Sequence, residues 1–349
     1  MLSAAQGMTF RQKSALLSLV RAPEEIFRDL RSIEREVTAI SEGLYEKLCE
    51  IKRDFCEERV LNYMERTGSF ALFREDPDYP AAFRELSEPP FVLYCKGDES
   101  LLNSECFAVV GTRAPTRYGR DVTETFSKDI ATAGFTIVSG LARGVDAIAH
   151  RSALEVGGKT IGVIGCGVDR VYPAENKELY EEIAEKGLIL SEYFFGEKPV
   201  NYHFPERNRL ISALSMGILV TEAGLKSGTM ITVEYALDQN KDVFVVPGNV
   251  FSEKSKGTNE LLHNPQCLPA CSSEDVLDYY KKEVSKKEEQ AIQLSTSEII
   301  VYDLLKDDEK HFEELISETG LPMGELMSTL TKLEVMGVIK KLPGNYYGI

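Results

Sequence analysis

The chain has 349 residues, of which 43% are hydrophobic and 28% charged, with ordinary glycine and proline content. That composition excludes a collagenous chain, a coiled-coil rod and a disordered protein, and at roughly 150 residues per domain it makes two to three domains the expectation. Forty Lys and Arg against 56 Asp and Glu give a net charge of −16, which argues against nucleic acid until the charge is mapped along the chain.

Residues 1–6 hold no basic stretch leading into an apolar one, and no run of about 18 apolar residues occurs anywhere. A soluble cytoplasmic protein with no membrane partner is expected. The seven cysteines are scattered and odd in number, so they form no disulfide framework. Cys267 and Cys271 lack a second pair or a His at zinc spacing, so no metal site is expected.

The first segment, to about Cys95, reads as helical. Apolar residues recur at helical spacing over Ser14–Val20, Glu24–Leu30 and Ser41–Met64, with Pro23 at a helix start. Asp76-Pro77-Asp78-Tyr79-Pro80 and Pro89-Pro90 then mark turns and an extended entry. From Phe107 short apolar runs alternate with amphipathic stretches. Strands are expected at Phe107–Val110, Phe135–Val138, Thr160–Ile164, Leu188–Leu190, Ile218–Val220 and Val243–Val246. Helices are expected between them at Gly119–Ala133, Val145–Val156, Glu175–Glu185, Glu206–Ser215 and Met230–Gln239. Strict alternation of this kind argues an α/β fold with a doubly wound, mostly parallel sheet. Strands apolar on both faces fit a sheet covered on both sides. A charged run over 281–290 reads as a solvated linker. Ser295–Lys306, His311–Ser317 and Met323–Met336 follow as three short helices, with Gly320 in the turn before the third. Gly337–Ile349 then alternates around Pro343-Gly344-Asn345, so the whole is a winged-helix pattern. The expected domains are a helical one over 1–75, an α/β one over 76–282, a linker over 283–294 and a winged helix over 295–349.

The charge is uneven. Residues 1–106 carry −6 and 251–349 carry −7, but 107–250 carry only −3. Arg113, Arg117, Arg120, Arg143, Arg151, Arg170, Arg207, Arg209 and Lys226 fall mostly at or just after expected strand ends. Ligands of open parallel sheets bind beyond those ends, so an acidic chain can still hold a basic pocket.

Five segments carry candidate chemistry: Val109-Val110-Gly111-Thr112-Arg113, Ser139-Gly140-Leu141-Ala142-Arg143-Gly144-Val145-Asp146, Gly165-Cys166-Gly167, Pro205-Glu206-Arg207-Asn208-Arg209 and Lys226-Ser227-Gly228-Thr229. Glycine lets backbone N–H groups approach a ligand, hydroxyls donate, and helix N-termini add partial positive charge. Arginines add bidentate contacts to phosphate. Together these segments suggest an anion cradle along one sheet edge. A dinucleotide fingerprint is missing after the first strand, and Gly158-Lys159-Thr160 precedes a strand where a P-loop would follow one. Ser139 lacks the glycine of a nucleophile elbow. Asp146 and His150 share a helix face, and two residues make neither a triad nor a metal site. Tyr172-Pro173 and His203-Phe204-Pro205 serve either as aromatic faces for stacked bases or as loop packing.

These motifs resemble the DprA/Smf family of DNA-processing proteins. The resemblance is carried by VVGTR (Val109–Arg113), SGLARGVDAIAH (Ser139–His150), GGKTIGVIGCGVDRVYP (Gly157–Pro173), HFPERNRLI (His203–Ile211), SGTMIT (Ser227–Thr232) and VFVVPGNV (Val243–Val250). The N-terminal helices are similar to that family's SAM or helix-hairpin-helix domain, and the C-terminal segment to its winged helix. The resemblance implies an extended Rossmann-like fold, a homodimer, and binding of single-stranded DNA without sequence preference. It also implies protection of that DNA and loading of the RecA recombinase during natural transformation, with no catalytic residue and no cofactor. Phosphate contact is implied for Arg113. Gly111, Thr112, Ser139, Gly140 and Ala142 would line the pocket, Arg207, Asn208 and Arg209 would reach from the opposite lip, and Ser227, Gly228 and Thr229 would close it. Arg143, Lys159 and Arg170 are further candidates. Two departures stand out. Ala174 and Glu175 follow Tyr172-Pro173 where some members place Lys, and His263-Asn264-Pro265-Gln266-Cys267 replaces a Gly-Ala pair before the last sheet edge, which bears on dimer contacts. The third helix of the winged helix has Lys332 as its sole base, which points to partner docking over DNA reading.

Two other readings come from different classes. Nucleoside-monophosphate-binding enzymes or nucleosidases of the same fold superfamily place a catalytic Glu three residues after the Gly-Thr pair; here that position is Thr232, and Glu234 lies two further on. A duplex-reading regulator would need a more basic winged helix.

Overall fold

The computed structural model describes residues 1–2, 8–20, 22–282, 294–306 and 308–348. The linker expected over 283–294 therefore lies, except for Leu294, outside the described residues. The chain divides into two compact units, Met1–Ser285 and Lys286–Ile349.

The first unit opens with five helices: α1 (Phe10–Ser18), α2 (Pro23–Arg28), α3 (Glu34–Ile40), α4 (Leu44–Asp54) and α5 (Glu57–Thr67). Leu16, Ile26, Leu30, Val37, Leu44 and Leu48 close a small core of their own. The single helical stretch expected over Ser41–Met64 is broken twice. Gly43 takes a left-handed φ of 75° ahead of α4, and Phe55 and Cys56 are extended between α4 and α5. The break turns Phe55 onto Phe194, at 6.2 Å between ring centroids.

β1 (Ser69–Phe73) and β2 (Val92–Gly97) flank α6 (Ala81–Arg84). The sequence marks turns and an extended entry here, at the end of a segment that reads as helical, and neither strand is among the expected ones. They form an antiparallel pair, and β2 joins the main sheet with Tyr94 opposite Ser191. The sheet thus begins before residue 76. Proline punctuation hid a strand pair that tertiary contact with the sheet edge stabilises.

The alternating region follows as expected, within one to three residues at most ends: β3 (Cys106–Val110), α7 (Arg117–Thr132), β4 (Thr136–Ser139), α8 (Val145–Glu155), β5 (Thr160–Val163), α9 (Lys177–Lys186), β6 (Leu188–Ser191), α10 (His203–Leu214), β7 (Gly217–Val220), α11 (Thr229–Asp238) and β8 (Asp242–Val245). α12 (Lys256–Leu261), β9 (Cys267–Pro269) and α13 (Ser273–Tyr279) complete the unit. Strands run in the order β1-β2-β6-β5-β4-β3-β7-β8-β9. β3 to β9 are parallel, and β9 pairs with β8 directly after the departing turn at 263–266. The chain steps outward from β3 to β6, then returns to place β7 on the other side of β3. That reversal is the topological switch point, where such sheets open a crevice.

Both sheet faces are covered. Side chains of α10, α11 and α12 pack one face with Val110, Val138 and Val220. α7, α8 and α13 pack the other with Phe107, Val109 and Ile137. Phe107, fully buried, meets Phe135, Phe244 and Tyr280 within 6.0 Å between centroids. Truncating such a ring costs about 3–5 kcal/mol.

The second unit is α14 (Thr296–Leu305), β10 (Lys310–His311), α15 (Phe312–Thr319), α16 (Met323–Val335), β11 (Lys340–Leu342) and β12 (Tyr346–Gly348). Its strands order β10-β12-β11. Val301, Leu315, Leu326, Leu330 and Leu333 make its core. Gly320 caps α15 in the left-handed region, φ 64°, as its place in the turn requires. The expected winged-helix order of elements is present. No helix of the described residues is long and apolar enough to cross a membrane.

Candidate functional site

The crevice lies beyond the carboxyl ends of β3, β4 and β5. A cavity of about 70 Å³ there is lined by Arg113, Gly140, Ala142, Arg143, Ile164, Gly165, Cys166, Tyr172, Pro173, Phe204 and Arg207. Arg113, Gly140, Ala142, Arg143 and Arg207 are candidate contact residues, and Gly165, Cys166, Tyr172, Pro173 and Phe204 come from the other segments singled out in the sequence.

Arg207 forms the floor. It sits on α10 with only 3% of its surface exposed. Its Nη1 donates to the carbonyl of Gly140 at 2.7 Å and to that of Val163, tying the ends of β4 and β5 together. Its Nε has no hydrogen-bond partner among the described residues. Burial pulls its pKa down, and the carboxylate of Asp146 opposes that shift. Asp146 is buried as well; desolvation pushes its pKa up, and the charge of Arg207 works against that rise. Gly140 separates the two. A Cβ there would stand 2.6 Å from Arg207 Nη2 and 2.7 Å from Asp146 Oδ2, so any larger residue would have to displace one of these two side-chain ends.

The lip is aromatic and cationic. Phe204 and Tyr172 stack at 5.3 Å between centroids with planes 28° apart. The guanidinium of exposed Arg113 lies 5.5 Å from the Phe204 centroid. This arrangement settles that Tyr172 and Phe204 border the cavity. Arg143 also reaches the lip, where its Nε meets Glu175 Oε1 at 2.8 Å. The Glu175 noted in the sequence as standing where a cation could be therefore pairs a candidate arginine.

The helix N-termini at the switch point behave differently from the sequence expectation. Phosphates are commonly held by such termini, yet here the chain supplies its own carboxylates. Buried Glu222, just past β7, accepts from Thr116 N at 2.8 Å and Thr116 Oγ1 at 2.7 Å at the start of α7. Asp146, in the first turn of α8, accepts at 3.3 Å from Ala142 N in the loop that precedes the helix. Arg113, Arg143 and Arg207 are the cationic groups that line the cavity. Neither Glu222 nor its role was found from sequence; its place two residues past the strand at the switch point was the available signal.

Several candidates serve as scaffold. Ser139 Oγ donates to Val109 O at 2.7 Å, so its hydroxyl links β4 to β3. Thr112 is buried, and its N donates to Glu222 O at 2.8 Å. Gly111 lies against Val145 and Glu222, with 2.7 Å to Val145 Cγ2 from a Cβ placed there. Gly144, φ 74°, brings its backbone against Thr112 O, which would stand 2.5 Å from a Cβ at this position, and closes the 140–144 loop. Leu141 is left-handed too, φ 53°, a conformation costing about 1–2 kcal/mol for a leucine. Asn176 holds that loop by donating Nδ2 to the carbonyls of Leu141 at 3.0 Å and Ala142 at 3.2 Å. Asn176 was also missed, because a buried amide partner leaves no periodic trace in sequence.

The remaining candidates lie outside the cavity. Asn208 Nδ2 approaches Gly228 O at 3.5 Å, so Asn208, Ser227, Gly228 and Thr229 form a neighbouring group. Arg209 is two residues beyond Arg207, on another helix face, and pairs with Glu192 at 2.5 Å. Arg207 and Arg209 therefore do not converge as one lip. Arg170 follows β5, and its Nε donates to Gly196 O at 2.8 Å. Lys159 falls at the opposite sheet edge because it precedes β5, and it donates to Lys186 O at 3.0 Å. His150 packs inside, its Nδ1 2.6 Å from Thr160 Oγ1. Thr232 is buried, whereas Glu234 is exposed on α11 and does not line the cavity.

In α16 the sole base, Lys332, is paired with Glu298 at 2.6 Å, while Met323, Met327 and Val335 are exposed. Among the described residues no cluster of side chains suited to a metal ion occurs.

Comparison with known proteins bears on this geometry. The family model of DNA recombination-mediator protein A matches residues 70–281, and that of the DprA winged helix domain matches 285–345. The chain is 33% identical over 350 residues to Protein Smf of Synechocystis, covering 89% of this chain and 88% of that one. Its fold is similar to the DNA processing protein A of Streptococcus pneumoniae, with TM-score 0.67 and 34% identity over 79% of this chain and 95% of that one. It is also similar to the DNA processing protein A of Helicobacter pylori, solved for its single-stranded DNA binding mode, with TM-score 0.56 and 39% identity over 61% of this chain and 95% of that one.

Proposed function

Because the chain belongs to the DprA/Smf family of DNA-processing proteins, we propose that its crevice holds a single DNA strand by phosphate and base face, without reading sequence. The carrying observation is the lip, where exposed Arg113 lies against Phe204 and Phe204 against Tyr172, above a cavity lined by buried Arg207. Exposed guanidiniums at the rim, Arg113 and Arg143, offer charge-assisted hydrogen bonds to phosphate. Aromatic faces beside it suit unstacked bases, and every base has a face to offer, so the contact tolerates any sequence. A duplex keeps its bases inside and gains nothing from that lip. The acidic remainder of the surface repels DNA and focuses it on the crevice.

The proposal extends to what the family resemblance implies. The bound strand is protected from nucleases and passed to the RecA recombinase, and a homodimer presents two crevices to one strand, raising avidity. The winged helix acts as a docking module for a protein partner: its third helix exposes Met323, Met327 and Val335, and that helix's one lysine, Lys332, is already paired. The crevice carries out binding and no bond-breaking step. A nucleosidase would need a carboxylate at the position of Thr232, and Glu234, two residues further on, is exposed on α11 and does not line the cavity.

The test is nuclease protection and recombinase loading with the full chain on a single strand, beside an Arg113→Ala variant. Protection and faster filament assembly that both fall in the variant are expected. A chain that neither protects nor loads, yet binds a nucleoside monophosphate, would overturn the reading.

A further inference from the structure

We propose that a second subsite for the same strand lies in the groove between α5 and the loop following β6, and that it extends the track away from the crevice. The inference rests on the single-strand reading above. The groove, about 520 Å³, is lined by Arg59, Asn62, Tyr63, Arg66, Phe194 and Phe195, with Val60 at its side.

The lining has a pattern. Arg59, Asn62, Tyr63 and Arg66 are spaced i, i+3, i+4, i+7, so they share one face of α5. Glu57, Glu58 and Glu65 of the same helix do not line the groove. In a chain of net charge −16, this face offers cations and no carboxylate. Arg59 and Arg66 are both exposed. The Arg66 guanidinium lies 5.6 Å from the Tyr63 ring centroid. Tyr63 meets Phe195 edge-on at 5.2 Å, and Phe195 meets Phe194 at 5.6 Å. Arginines interleaved with aromatic rings are the chemistry that holds single-stranded nucleic acid.

Continuity with the crevice selects this occupant over an acidic peptide. The loops after β5 and β6 are tied together: Arg170 Nε donates to Gly196 O at 2.8 Å, Gly196 N to Asp169 Oδ1 at 2.8 Å, and Gly167 N to Glu197 O at 3.0 Å. Asp169 and Arg170 are close enough to Tyr63 to act on its hydroxyl electrostatically. Two residues beyond Arg170, Tyr172 stands at the lip of the first cavity. One loop therefore presents Tyr172 to the crevice and Arg170 toward the groove. Arg170, which lines neither cavity, gains a role as the cation between them.

The experiment compares the full chain with an Arg59→Ala/Arg66→Ala variant by fluorescence anisotropy on oligo-dT of about 6 and about 20 nucleotides. Both positions are exposed on a helix and alanine favours helix, so the fold is kept. The expected result is about tenfold weaker binding of the long strand, unchanged binding of the short one, and a salt slope lower by about 1.4 for two lost phosphate contacts. Arg59→Lys/Arg66→Lys should restore the slope. A variant that binds the long strand like the unmodified chain, with the same slope, overturns the second subsite and leaves the crevice reading standing. An unmodified chain that binds neither strand overturns both.

Discussion

Removing the ring of Phe204 separates base stacking from charge at the lip. Phe204 lies 5.3 Å from Tyr172 and 5.5 Å from the Arg113 guanidinium, so it is the centre of a three-member stack. Stacking of one base on an aromatic side chain is worth about 1–3 kcal/mol by alanine substitution, which is roughly 5- to 150-fold in Kd. Phe204→Ala removes that term and no charge. Its affinity should fall within this range while the slope of log K against log salt stays unchanged. Arg113→Ala removes an exposed cation, so its slope should fall by about 0.7, one phosphate contact on a single strand. Fluorescence anisotropy on labelled oligo-dT over a salt series reads both quantities. Phe204 is half-buried beside Gly165, so its truncation should cost stability of only about 1–2 kcal/mol, within what a folded domain tolerates. Full affinity in Phe204→Ala would refute stacking at the lip. A reduced slope in the same variant would show that the ring acts only by placing Arg113.

Arg209→Ala should lower thermal stability and change strand affinity little. Arg209 and Glu192 are each 16% exposed in a 2.5 Å pair, and stranding the carboxylate costs about 1–3 kcal/mol; calorimetry beside anisotropy checks both halves. Glu175→Gln should tighten strand binding at low salt by about two- to fivefold, because it frees Arg143 from its rim pair. Acid should destabilise the first unit through His150. Burial holds its pKa down to about 3 from an ordinary 6.5, so below pH 6.5 the unfolded chain takes up a proton that the folded chain refuses. The stability present above pH 6.5 is lost progressively as pH falls towards 3. His150→Leu should flatten that limb in thermal melts run between about pH 7 and pH 4.

The parallel sheet was legible because its strands are apolar throughout and its helices keep a clear period, as Val109–Val110 and Phe126–Ile130 illustrate. β1 and β2 were not, since a short strand pair among prolines depends on β6 to exist. The crevice was legible at Arg113, Gly140 and Arg143, residues set by the turns that end strands. Its floor was only half legible. Arg207 and Arg209 look equivalent in sequence, and helix geometry sends one inward to Gly140 and the other to Glu192. Lys159 was a further candidate contact on the family resemblance, and strand direction places it at the far edge. Glu222 and Asn176 act through single long-range hydrogen bonds, which no local pattern announces.

The central claim is that one strand lies across the Arg113–Phe204–Tyr172 lip. Photo-crosslinking of the full chain to oligo-dT carrying 5-iodouracil, followed by peptide mass spectrometry, addresses it most directly. The account expects adducts on Tyr172 or Phe204 that disappear when unlabelled single strand competes and persist when duplex competes. Adducts confined to residues 294–348, or none that unlabelled single strand displaces, would contradict it.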